Sequence, residues 1–99
     1  MKEITLKESE FGKEYLEALE EMLKIRKQKR IVYGDVFLTD DLLFLKYQAE
    51  NKLKRLTAQM NSGELKELKE NTETAKDSAI DIINYMLFFV AKVNKGDRK

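Results

Sequence analysis

Ninety-nine residues fit one small domain, with a core large enough to fold but little surplus. A net charge of +1 with 37% charged residues excludes a strongly basic polyanion binder, so there is no strong case for DNA or RNA. The absence of Cys and His removes disulfides, zinc–thiolate sites, thiol nucleophiles and the commonest general base, and leaves chemistry to Asp, Glu, Lys, Arg, Tyr and Ser/Thr.

The first residues, Met1-Lys2-Glu3-Ile4-Thr5, contain no apolar signal core, so a cytoplasmic protein is expected. Residues 1–8 read as a frayed end. A first helix is expected from about Ser9 to Arg30, because Phe11, Tyr15, Leu19, Met22, Leu23 and Arg26 recur at three-to-four spacing. Its basic end, Lys24 to Arg30, suits the negative end of the helix dipole. The segment 31–37 then reads as a loop: Gly34-Asp35 breaks the helix, and no partner strand follows for a hairpin. Gly34 there permits a positive φ, Tyr33 could stack on a base, and Lys29 or Arg30 could meet phosphate. The competing reading is a helix stop with Tyr33 as an aromatic plug.

A second helix is expected to start at Thr39 as N-cap, with Asp40 and Asp41 in its first turn, and to run to about Met60. Leu42, Leu45, Ala49, Leu53, Leu56 and Met60 form its apolar stripe, and Asn61-Ser62-Gly63 carries a C-cap signature. Gln48, Asn51, Lys52 and Arg55 share a face beside that stripe. Lys52 with Arg55 makes a donor pair suited to phosphate oxygens, against a plain solvated face for any one of them alone. Glu50 is expected to pair with Lys54. Residues 61–71 read as a connector with little apolar face.

The third helix is expected from a cap at Asn71 or Thr72 to about Lys95, where Gly96 stops it and 96–99 fray. Glu73, Asp77 and Asp81 recur every four residues and lead into the most apolar stretch, Ile82 to Val90. At about 100° per residue, these three acids share one arc with Asn84 and Tyr85. Like charges at this spacing repel, and an aspartate on an apolar helix costs free energy unless a cation or donor meets it. A divalent metal such as Mg²⁺, a basic partner helix, or both would compensate. For Asp81 the competing reading is a structural salt bridge to Lys52, Arg55 or Arg26, and for Glu73 it is a favourable position near the helix N-terminus. The apolar run from Ala79 to Val93 is shorter than the ~20 residues of a membrane span and is interrupted by Asp81 and Asn84, so no membrane is expected. From Ile82 to Val93 the helix is apolar nearly all round, more than a three-helix monomer readily buries. The expected fold is therefore all-α, one small domain over 1–99 with three main helices, completed by homo-oligomerisation.

In their order along the chain, Tyr33-Gly34-Asp35, the run Asn51-Lys52-Leu53-Lys54-Arg55-Leu56 and the run from Glu73 to Tyr85 resemble the phage-associated nucleotide modification associated domain, type 1 family, over about residues 26–90. The architecture is also similar to the MazG-like all-α nucleoside triphosphate pyrophosphohydrolases. The resemblance implies a nucleotide or nucleotide-like ligand and Mg²⁺ held by Glu73, Asp77 and Asp81. It further implies phosphates met by Lys52 and Arg55, a base contacted by Tyr33 or Tyr85, hydrolysis between α- and β-phosphates, and dimers or tetramers. Two departures matter: Asn51 stands where the family carries an acid, and the MazG-like Glu-Glu-x-x-Glu cluster is missing. Both favour nucleotide binding over efficient hydrolysis, or a partner subunit that completes the site. A different class of reading is a non-catalytic phage or mobile-element protein that sequesters a signalling nucleotide or inhibits a host defence protein.

Overall fold

The computed structural model describes residues 4–61 and 69–96, the side chains of 69–74 excepted. Among the described residues every regular element is helical: α1 (Glu8–Phe11), α2 (Lys13–Tyr33), a 3₁₀ turn (Val36–Thr39), α3 (Leu42–Asn61) and α4 (Lys69–Lys95). The all-α class with three long helices is as expected. The chain divides into two compact units, Met1–Gly34 and Asp35–Lys99.

In the N-terminal unit, one helix from Ser9 to Arg30 was expected and two are found. Gly12 has φ +88°, a conformation L side chains rarely adopt, and its N–H donates to the Glu8 carbonyl at 2.7 Å, closing α1 before α2 begins at Lys13. Phe11 and Tyr15 stack across the break, their ring centroids 6.4 Å apart. At the other end α2 continues through Ile31 and Val32 to Tyr33, where a loop was expected. β-Branching lowers helix propensity only slightly, whereas Gly34 ends the helix outright. It takes the expected positive φ (+60°), donates its N–H to the Arg30 carbonyl at 2.8 Å, and accepts the Arg26 guanidinium on its own carbonyl at 3.5 Å.

In the C-terminal unit the expected start of the second helix shifts by two residues. The Thr39 hydroxyl donates to the Val36 carbonyl at 2.7 Å, so it serves the 3₁₀ turn and cannot cap α3. Asp41 caps instead: the Phe44 N–H donates to its Oδ1 at 2.7 Å and the Leu45 N–H to its carbonyl at 3.2 Å. Glu50 pairs with Lys46 at 3.2 Å rather than with Lys54. Of the 61–71 connector, residues 62–68 lie outside the described residues. Helix α4 is already formed at Lys69, ahead of the expected cap at Asn71 or Thr72, and it ends at Lys95 before Gly96 at φ +107°.

Helices α3 and α4 form an antiparallel hairpin, as the order of their joined residues requires. Gln59 meets Ser78, Lys52 meets Asp81, and Leu38 and Asp40 meet Lys92, so one number falls as the other rises. Phe37 stacks on Phe88 with centroids 4.4 Å apart and planes 11° apart, and Tyr85 sets its edge to Phe88 at 6.1 Å and 89°. Leu45 is fully buried, and Ala49 and Ile80 are buried too. The expected stripe on α3 is corrected in one respect: Leu53 and Met60 are exposed. Positions 45, 49, 52, 56 and 59 line the inner face, so Lys52 occupies the place that simple periodicity assigned to Leu53. An amphipathic lysine stem tolerates that position when its head finds a partner.

Lys92 is the residue whose role the sequence does not announce. It is buried, and its ammonium donates to the Leu38 carbonyl at 3.2 Å and to the Asp40 carbonyl. Those carbonyls close the 3₁₀ turn, where a helix end leaves acceptors without partners. One cation from α4 satisfies both and ties the turn to the hairpin. Among the described residues, no helix is long and apolar enough to cross a membrane.

Candidate functional site

The strongest polar constellation lies along one edge of the hairpin. Lys52 Nζ and Asp81 Oδ2 are 3.3 Å apart, with side chains 29% and 27% exposed. The expectation that Asp81 must be answered by a cation is met, and of the three candidates Lys52 answers it. Arg26 donates to the Gly34 carbonyl at 3.5 Å. An ion pair this accessible contributes only about 0–1 kcal/mol, so its main effect is to fix the helix register.

Register brings two further groups to the same edge. Arg55 lies one turn beyond Lys52 toward the end of α3, and Asp77 one turn before Asp81 on antiparallel α4, so the two stand at one level. Both are exposed. The edge thus carries two cations on α3 and two carboxylates on α4, with exposed Asn51 on the α3 side.

Other expected site residues fall elsewhere. Asn84 is buried and donates its Nδ2–H to the Ile80 carbonyl at 3.3 Å, a local bond on its own helix. Tyr85 packs on Phe88 in the aromatic cluster. Tyr33 and Arg30 are exposed near the end of α2, in the N-terminal unit. The Glu73 side chain lies outside the described residues. A contact the sequence did not suggest is Ser78, buried and donating its hydroxyl to Gln59 Oε1 at 3.1 Å. A serine amid Ala79 and Ile80 was the available signal, because a buried hydroxyl needs a partner.

The donor set bears on a metal directly. Among the described residues no three His, Cys, Asp or Glu side chains form a metal-holding group. Asp77 and Asp81, one helical turn apart, nevertheless match the one or two carboxylates with which Mg²⁺ is usually held when phosphates and waters supply the remaining oxygens. No family model, curated protein or solved structure matches the chain.

Proposed function

We propose that the α3–α4 edge binds the phosphates of a nucleotide or nucleotide-like ligand, with Lys52 and Arg55 on the phosphate oxygens and Asp77 and Asp81 as the seat of Mg²⁺. The observation that carries the reading is the 3.3 Å approach of Lys52 to Asp81 across the hairpin; helical register puts exposed Arg55 and Asp77 one turn further along. Residues from two of the three motifs of the resemblance to the nucleotide modification associated family support it: Asn51, Lys52 and Arg55 from the one on α3, and Asp77 and Asp81 from the one on α4.

The chemistry is an exchange of partners. A phosphate offers Lys52 more negative charge than Asp81 does, and Arg55 can add a bidentate contact. As Lys52 turns to phosphate, Asp81 gives up this ion pair, and with Asp77 it presents two carboxylates one turn apart where positive charge is favoured. Bound Mg²⁺ would supply that charge and neutralise the phosphates. Binding rather than hydrolysis is the function assigned, because Asn51 brings no charge to the position where the family carries an acid.

A thermal-shift panel of nucleoside mono-, di- and triphosphates with and without Mg²⁺ tests this. A ligand at a hundred times its Kd adds about 2.7 kcal/mol, or about 10 °C or more for a domain of this size. The rise should need Mg²⁺ and disappear in Lys52→Ala/Arg55→Ala. No shift at millimolar ligand, in a protein that still melts cooperatively, would overturn the reading.

A further inference from the structure

Helix α2 closes on three consecutive apolar side chains that stand in solvent: Ile31 is 82% exposed, Val32 74% and Tyr33 65%. Directly before them, residues 24–30 hold five cations and no acid, in a chain whose net charge is only +1. Lys24, Lys27, Lys29 and Arg30 are all exposed. At about 100° per residue these four point to all sides of the helix, with no gap wider than about 140°. Ile31, Val32 and Tyr33 surround the axis in the same way. The end of α2 is thus an apolar tip set in a collar of positive charge, not the one-sided stripe of a helix that packs on another helix.

We infer that this tip seats end-on at the surface of an anionic phospholipid bilayer. The cations of residues 24–30 lie toward the lipid phosphates, and Ile31 and Val32 reach the boundary of the acyl chains. Tyr33 suits the same depth, where an aromatic ring is apolar at its body and wet at its hydroxyl. Three residues rise about 4.5 Å, which matches a shallow interfacial seat. Among the described residues no helix is long and apolar enough to cross a bilayer, so the tip meets only its surface.

The order of charge along α2 selects this occupant and this orientation. Glu14, Glu17, Glu20 and Glu21 all precede the cations of residues 24–30. A helix laid flat on an anionic surface would press those acids against it. Seated by its end, α2 holds the nearest of them, Glu21, about 15 Å from Ile31 along the axis, beyond the ~8 Å screening length of physiological salt. Asp35 follows the tip, so residues 24–35 still carry five cations against one acid. A nucleic-acid groove would attract the same cations, but it follows a helix along its length and brings the acids into contact. Phosphates alone also leave the aliphatic side chains in water. A boundary of anionic headgroups and acyl chains answers the cations and the apolar tip together.

The chain contains no tryptophan, so full-length Tyr33→Trp and Tyr15→Trp each carry a single indole. Both positions are exposed, and they lie about five turns apart on one face of α2. The protein should sediment with vesicles of equal parts phosphatidylserine and phosphatidylcholine, stay free of vesicles of phosphatidylcholine alone, and be released as salt is raised. Lipids brominated in their acyl chains should quench Tyr33→Trp and spare Tyr15→Trp. Ile31→Ser/Val32→Ser, at two exposed positions, should weaken binding at least about tenfold. Lys27→Ala/Lys29→Ala should weaken it by about fivefold for each cation removed. Four results would overturn the inference. They are no sedimentation, equal binding to phosphatidylcholine alone, quenching of both indoles as in a helix lying flat, and binding indifferent to Ile31→Ser/Val32→Ser, which would reduce the contact to the attraction of any polyanion. None of these measurements touches Lys52, Arg55, Asp77 or Asp81, so the two proposals fail separately.

Discussion

Lys92→Met removes one charge and almost no volume, and it isolates what the buried ammonium contributes. The side chain is 6% exposed and donates to two carbonyls more than fifty residues away in sequence. A hydrogen bond from a charged donor contributes about 1.5–3 kcal/mol, so two would give about 3–6 kcal/mol in isolation. Two terms reduce this. The ammonium no longer has to be desolvated, and the carbonyls of a short surface turn can recruit water once the cation is gone. A net loss of about 2–3 kcal/mol remains, a large share of the ~5–15 kcal/mol that holds a domain of this size. Urea denaturation followed by circular dichroism should show a lower midpoint at unchanged slope, and thermal melting should fall by about 10 °C or more. Lys95→Met, at an exposed position in the same final turn, is the control and should stay within about 0.5 kcal/mol of the parent. If Lys92→Met matched that control, the ammonium would be incidental to the turn and the account of how the 3₁₀ segment is held would be wrong.

A double-mutant cycle on Lys52→Met and Asp81→Asn should return a coupling of about 0.5–1 kcal/mol that shrinks as salt is raised, and a coupling of zero would separate the pair from the register of the hairpin. Gly34→Ala should cost about 1–3 kcal/mol by chemical denaturation, because φ +60° with ψ −139° is a conformation that only glycine adopts readily. No atom lies within 4 Å of the added methyl, so any loss reports the backbone alone, and an unchanged midpoint would refute the strain. Asp41→Ala should cost about 1 kcal/mol while Thr39→Ala leaves α3 intact, and the reverse order would restore Thr39 as the cap.

The candidate edge was legible as a problem rather than as a solution. Asp81 beside Ile82 and Ile83 announces that a cation must lie nearby, since a carboxylate amid apolar neighbours is costly without one. The sequence offers Lys52, Arg55 and Arg26 as equals. Lys52 meets Asp81 because, where α4 folds back on α3, position 52 falls on the inner face at the level of 81. The same packing turned Leu53 and Met60 outward, because a stripe read from spacing alone carries no information about where the partner helix lies.

The chain by itself determined its helices, its glycine stops at 34 and 96, and the aspartate that had to be neutralised, all through effects that act within about one helical turn: period, φ preference and charge beside apolar side chains. Tertiary structure decided which of two neighbouring polar residues caps α3, which cation meets Asp81, and that a lysine near the end of α4 is buried as the clasp of a turn fifty residues earlier. From position 92 alone, a lysine in the last turn of a helix reads as a solvated charge beside the dipole. The Leu38 and Asp40 acceptors are backbone carbonyls, which every residue carries, so no side-chain pattern could mark them before the backbone brought them together.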